Sequence, residues 1–303
     1  MTDSETVTTS SYVARSSKPG LAFGAIMPHG DVIPAISTDY GASSQKTNDA
    51  MEQIGQAFRD AAPDVLLLLT PHGVRVEASV TVSVTERASG ELIGNDTTIR
   101  VDLPVHQFFA LSLASRAGSA GVPVSTVIFG SAAGEGSTIP LDWGSIIPLW
   151  YLTNEQPEQQ SVVIAAPSRS VGVDLLYKFG RAAAEAARDS GLRLAVVASA
   201  DWSHTHSELG PYGFSPAAAE MDRLVLKAVE TNDLRSMGRF SDKLIEDAKP
   251  DGIWQSIVLA GALETTGMVG RLLSYEVPSY FGMLCALYVS NEVQADSSSS
   301  GPS

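Results

Sequence analysis

Cysteine occurs once in the 303 residues, so no intrachain disulfide can form, and Cys285 lies in an apolar stretch where a buried, inert thiol is expected. Cationic side chains are also scarce: 20 Lys and Arg stand against 34 Asp and Glu, a net charge of −14. A field of that sign repels phosphate backbones and anionic lipid, which argues against nucleic acid as a partner. The acidic residues are spread along the chain instead of forming a tail, and read as a solvated surface. No apolar run approaches the roughly 18 residues a membrane helix needs. The Ser- and Thr-rich N-terminus lacks the apolar core of a secretory signal. Together these absences predict a cytoplasmic protein with no membrane span.

What is present is the material for a core. Hydrophobic residues make up 44% and charged residues 18%, far from the composition of a disordered chain. Short apolar, β-branched runs at residues 21–27, 65–70, 80–84, 124–129, 162–166, 194–198 and 280–290 are candidate strands. Amphipathic segments at 45–62, 106–117, 141–152, 171–190, 216–231 and 252–266 are candidate helices. The alternation predicts a single α/β domain over residues 20–293, with a mostly parallel central sheet covered by helices on both faces. A hairpin-like stretch at 76–85, followed by a turn at Ala88-Ser89-Gly90, interrupts the pattern. Residues 1–19 and 294–303 lack periodicity and are expected to be disordered.

Only five histidines occur, and three fall directly after candidate strands: His29 in Pro28-His29-Gly30, His72 in Pro71-His72-Gly73, and His204 in Asp201-Trp202-Ser203-His204. Open parallel sheets bind ligands outside the carboxyl ends of their strands, where such residues converge. In each Pro-His-Gly, Pro ends the ladder by lacking an N–H and Gly lets the backbone turn, leaving the imidazole aimed at the crevice. One histidine after a strand is ordinarily a loop hydrogen-bond donor. Two with matching flanks after neighbouring strands predict a divalent metal site, since neutral imidazole is a ligand for Fe, Zn, Cu and Ni.

The two Pro-His-Gly turns, the run Ser199 to His204, Gly210-Pro211-Tyr212-Gly213-Phe214 and the helix ending Leu259-Ala260-Gly261-Ala262-Leu263 together resemble the class III extradiol ring-cleavage dioxygenases of the LigB-like superfamily. The resemblance spans nearly the whole chain between its ends. It implies a non-haem Fe(II) site, or one for Zn or another divalent metal, with two histidines and a carboxylate on one face. It implies a small catechol-like or protocatechuate-like aromatic substrate and O₂, either in a homo-oligomer or beside a small partner subunit. Carried over, His29 and His72 match the metal ligands and His204 the acid/base histidine. The carboxylate falls on Asp251, where the family more usually has Glu; the alternative is that Asp251 only caps the following helix. Glu246 is the reserve.

Ring-cleaving members often carry a histidine where this chain has Trp143, which either stacks on a substrate ring or simply packs. His206, two residues past His204, points the same way if the loop is extended, making it a substrate-contact candidate. Tyr212 is a candidate lid residue or a loop stabiliser, and His106 is expected to serve a helix start. Residues 130–138 and 205–214 are the expected lids. The departures at Trp143 and Asp251 also fit MEMO-like proteins, which share the fold and its histidines but act as metal-binding accessory or binding proteins. A zinc hydrolase would keep the metal, yet no His-Glu-x-x-His motif is present.

Overall fold

A computed structural model describes residues 18–30, 44–94, 97–155 and 160–290. Residues 1–17 and 294–303, which make up nearly all of the expected disordered ends, lie outside this set. The strands are β1 (Gly20–Met27), β2 (Val65–Leu69), β3 (Val80–Ser83), β4 (Arg87–Ile93), β5 (Thr98–Pro104), β6 (Val124–Val127), β7 (Thr138–Pro140), β8 (Ser161–Pro167), β9 (Arg193–Ser199), β10 (Val269–Glu276) and β11 (Met283–Val289). The helices are α1 (Gln45–Ala61), α2 (Gln107–Ser119), α3 (Trp143–Thr153), α4 (Val173–Asp189), α5 (Ala217–Glu230), α6 (Asp242–Ala248) and α7 (Ile253–Leu263).

The main sheet has eight strands in the order β10-β11-β1-β9-β2-β8-β3-β6. Its centre, β1-β9-β2-β8, is parallel throughout, as expected from the apolar runs. Its flanks are mixed: β11 pairs antiparallel with β1 and β10, and β3 antiparallel with β8. All five residues of β2 are fully buried, because helices cover both faces. Alternate side chains then feed two cores. Val65, Leu67 and Leu69 join α2, α4, α5 and α7 on one face. Leu66 and Leu68 join α1, α3 and the small second sheet on the other. Cys285 belongs to the second core, fully buried, and burial pushes its thiol up to about 12.

The triplet Ala88-Ser89-Gly90 is not a turn. It lies inside β4, which pairs with β5 and β7 in a separate three-stranded sheet. A side chain at Gly90 would meet the Leu141 carbonyl at 2.5 Å, so its small size serves close packing against the segment entering α3. The reversal between β4 and β5 comes later, where the Gly94 N–H donates to the Thr97 carbonyl. Among the described residues no helix is long and apolar enough to cross a membrane.

Candidate metal centre

The sheet order puts β9 between β1 and β2, so the two Pro-His-Gly turns flank it and are not direct neighbours. Three successive strand ends therefore deliver His29, then Asp201 and His204, then His72 to one place. The two glycines meet different needs. Gly73 adopts a positive φ of 74° with open space around it, a left-handed turn that favours glycine. Gly30 has no positive φ; a Cβ there would lie 2.3 Å from the Phe281 ring. That ring stacks on His204 at 5.6 Å, so Gly30 leaves room for the aromatic wall of the site.

His29 Nε2 lies 3.3 Å from His72 Nε2 and 3.3 Å from Asp251 Oδ2. Donor atoms of His29, His72 and Asp251 all lie within 4.8 Å of one another. The helix-cap alternative for Asp251 does not apply: α7 has Gly252 at its cap and no capping side chain. Instead Asp251 Oδ1 accepts the Asp201 N–H at 2.9 Å, which turns Oδ2 towards the histidines. Glu246 is far from this role, exposed on α6 and paired with Lys249.

Hydrogen-bond accounting sets the imidazole faces. Ser199 Oγ donates to the Gly144 carbonyl at 2.5 Å, so its only proton is used. At 2.9 Å from His29 Nδ1 it must accept, which places a proton on Nδ1 and directs Nε2 to the centre. The Lys249 carbonyl likewise accepts from His204 Nδ1 at 2.8 Å, leaving His204 Nε2 towards Asp251, 4.0 Å away. Ser199→Ala is therefore expected to weaken metal binding by roughly 10–100-fold while the fold stays intact, as loss of an outer partner to a ligating histidine typically does. Competition with a chelating dye measures it; unchanged affinity would mean that Ser199 has no part in orienting His29.

The donor set fits a divalent cation electrostatically as well as geometrically. Burial lowers the basicity of His29, but Asp201 and Asp251 outweigh it and raise its pKa to about 9. His72 shifts the other way, lowered by burial and then by the charge on His29. Burial would raise the Asp251 pKa, but the facing histidines, His29 first, hold it below the usual carboxylate range. The cluster thus attracts positive charge to the point shared by His29 and the carboxylates. A metal there would displace the His29 Nε2 proton.

Asp201 was not singled out in the sequence. Its Oδ1 accepts the backbone N–H groups of His29 and Gly30, and its Oδ2 lies 3.5 Å from His29 Nε2. Burial raises its pKa. A polar residue two places past a strand end, inside the run Ser199 to His204, was the available signal for it.

The other candidates separate. Trp143 opens α3, is 50% exposed, and its ring lies 4.5 Å from that of His72, so it faces the cavity and is not interior packing. Tyr212 lies edge-on to His204 at 6.2 Å. His206, expected against the substrate, is absent from the cavity lining. It binds the buried Asp222 at 2.8 Å, because that carboxylate, which also accepts from Ser203 and Tyr275, draws every nearby donor. His106 accepts the Phe109 N–H at the start of α2. The cavity around the centre has a volume of about 880 Å³ and opens to solvent. Of the two expected lids, only 205–214 reaches it, through Tyr212; no residue of 130–138 lines it.

The chain matches the family model described as the catalytic LigB subunit of aromatic ring-opening dioxygenase over residues 24–284. It is 23% identical over 254 residues to Protein CA_C1420 of Clostridium acetobutylicum, covering 83% of this chain. The chain spans about half the length of that relative, 54%. In fold it is similar to the crystal structure of the uncharacterized protein JW3007 from Escherichia coli K12, with a TM-score of 0.58 and 15% identity, covering 89% of this chain and 100% of the other.

Proposed function

The chain belongs to the family of catalytic LigB subunits of aromatic ring-opening dioxygenases, and from that premise we propose that it is a metal-dependent oxygenase opening a catechol-like or protocatechuate-like ring with O₂. Fe(II) is the proposed metal, with Zn or another divalent ion the alternative, and His29, His72 and Asp251 the proposed ligands. The observation that carries the reading is the convergence of those three donors within 4.8 Å beside His204.

Bound there, iron would supply a common centre for a diol and O₂ and the one-electron chemistry that O₂ requires. The remaining work falls to the chain. His204 Nε2, bare of a proton in the neutral ring, is the proposed base for a substrate hydroxyl and the later donor of that proton. Its ring is fixed by the Lys249 carbonyl and by stacking on Phe281. Trp143 and Tyr212 line the same cavity and offer aromatic faces to a substrate ring. We place the protein in the cytoplasm, as a homo-oligomer or with a small covering subunit.

The test is O₂ uptake after anaerobic Fe(II) loading, with catechol, protocatechuate-type acids and aminophenols as substrates. Uptake that depends on iron and disappears in His204→Ala, with iron content unchanged, is the expected result. Trp143 favours one second reading, a MEMO-like metal-binding accessory protein. Stoichiometric metal with no uptake from any substrate would select that reading over the dioxygenase.

A further inference from the structure

The backbone stretch that carries His204 lies outside the strands, between β9 and α5, and is tied down from three sides. On the first, Trp202 donates its N–H to the Gly282 carbonyl and His206 to that of Tyr280, while the Gly282 N–H donates back to Ser203. On the second, His204 donates its N–H to the Ala248 carbonyl, and Thr205 Oγ1 donates to that of Asp247. The third side is Asp222, on the second turn of α5 and only 2% exposed.

The two oxygens of Asp222 divide its partners. Oδ1 accepts the Ser203 N–H at 3.0 Å and the Ser203 hydroxyl at 2.5 Å. Oδ2 accepts the Tyr275 hydroxyl at 2.7 Å and His206 Nε2 at 2.8 Å. Four donors match the roughly four lone-pair positions of a carboxylate, which a neutral side chain of that size lacks. Burial, then the Asp222 charge, push the Tyr275 phenol well above its usual range, so it stays a donor. The carboxylate fits here only because position 282 is glycine: a Cβ there would lie 2.2 Å from Asp222 Oδ2. A buried charge is costly unless fully paired, and three of the four bonds go to residues flanking His204. The His204 ring itself meets the Lys249 carbonyl and the Phe281 face.

We propose that Asp222 is a positioning residue for His204: its hold on Ser203 and His206 fixes the backbone on both sides of that histidine, and with it the placement of the ring beside the metal centre. The use of the ring in proton transfer rests on the ring-opening reading; its placement by Asp222 does not.

Two measurements test this. In the diamagnetic Zn(II)-loaded protein, proton NMR follows the ring N–H that His204 gives to the Lys249 carbonyl, recognised as the resonance that His204→Gln lacks. In the iron-loaded protein, O₂ uptake gives kcat and KM. Asp222→Asn keeps an oxygen for Ser203 and offers an amide group that Tyr275 and a neutral His206 can accept from, so it should behave as wild type. Asp222→Ala removes all four bonds. Its His204 ring proton is expected to exchange with solvent at least roughly tenfold faster, and kcat to fall at least roughly tenfold with KM and metal content unchanged, as a small misplacement of a reacting group produces. Ser203→Ala, which removes one donor only, carries the test if Asp222→Ala does not fold, and should move both readings the same way by a smaller factor. A lower melting temperature in Asp222→Ala, with the His204 proton and kcat unchanged, would make Asp222 a support of the fold alone and overturn the proposal. So would a loss of kcat matched by a loss of metal. If the wild type opens no ring, the ring-proton measurement alone decides the placement, and only the ring-opening reading fails.

Discussion

His29→Ala combined with His72→Ala is expected to leave the protein without metal. Elemental analysis should fall from near one ion per chain to background, and iron-dependent O₂ uptake should fall with it. The loss should exceed the roughly 10–100-fold cost of removing an outer partner, because two of three donors disappear at once. The single variants are informative for different reasons. His29 lies between two buried carboxylates, so removing it takes away the cation both of them face and leaves only the more distant His204 beside Asp251, a loss that typically destabilises by about 3–5 kcal/mol. His72 has no ion-pair partner among the described residues, so His72→Ala should lose metal affinity with little change in stability. The carboxylates provide a further contrast. Asp251→Asn is expected to weaken metal binding strongly. Asp201→Asn should retain it, since the amide oxygen can still accept the N–H groups of His29 and Gly30. Equal metal loss in both would make Asp201 a ligand, and no loss in the double histidine variant would return these histidines to a structural role.

Gly180→Ala and Gly261→Ala are expected to destabilise the fold by about 3 kcal/mol each, the upper end of the usual overpacking range. These glycines lie where α4 and α7 cross. A Cβ on Gly180 would sit 1.8 Å from the Val258 carbonyl oxygen, and one on Gly261 would sit 2.0 Å from that of Tyr177. The obstacles are backbone atoms, so whole helices must separate. Gly118→Ala in α2 is the control. A Cβ there meets nothing within 4 Å, and helix propensity predicts a gain of roughly 0.5–1 kcal/mol. Denaturant midpoints for the three variants check the argument, and a loss at Gly118 equal to the others would defeat it. The crossing also bears on the site, because α7 begins just after Asp251. Metal affinity in Gly261→Ala should therefore fall along with stability.

Much of this was legible in the sequence, and for a definite reason. The central strands are continuous apolar runs because both their faces are buried, and α1, α4 and α5 are periodic because one face of each is covered, whereas α3 and α7 are apolar and buried nearly all round; these patterns are local. The histidines were legible because a Pro that ends a ladder and a Gly that follows are also local signals. Strands β4, β5, β7 and β10 were not seen. Their residues alternate or mix polar and apolar side chains, as in the β5 pattern of exposed and buried positions, and only pairing partners distant in sequence make them strands.

The sequence by itself determined the α/β class, the parallel core and the three histidines at strand ends, since each depends on residues within a few positions of one another. The tertiary structure alone decided how Asp251 is turned towards His29 and that Asp201 joins it there. Asp251 and Asp201 are fifty residues apart, joined by the hydrogen bond that turns one oxygen of Asp251 inward. It also turned His206 to Asp222 and brought Trp143 out over His72. Those outcomes depend on distances between segments far apart in the chain, and no local pattern of residue types carries such distances.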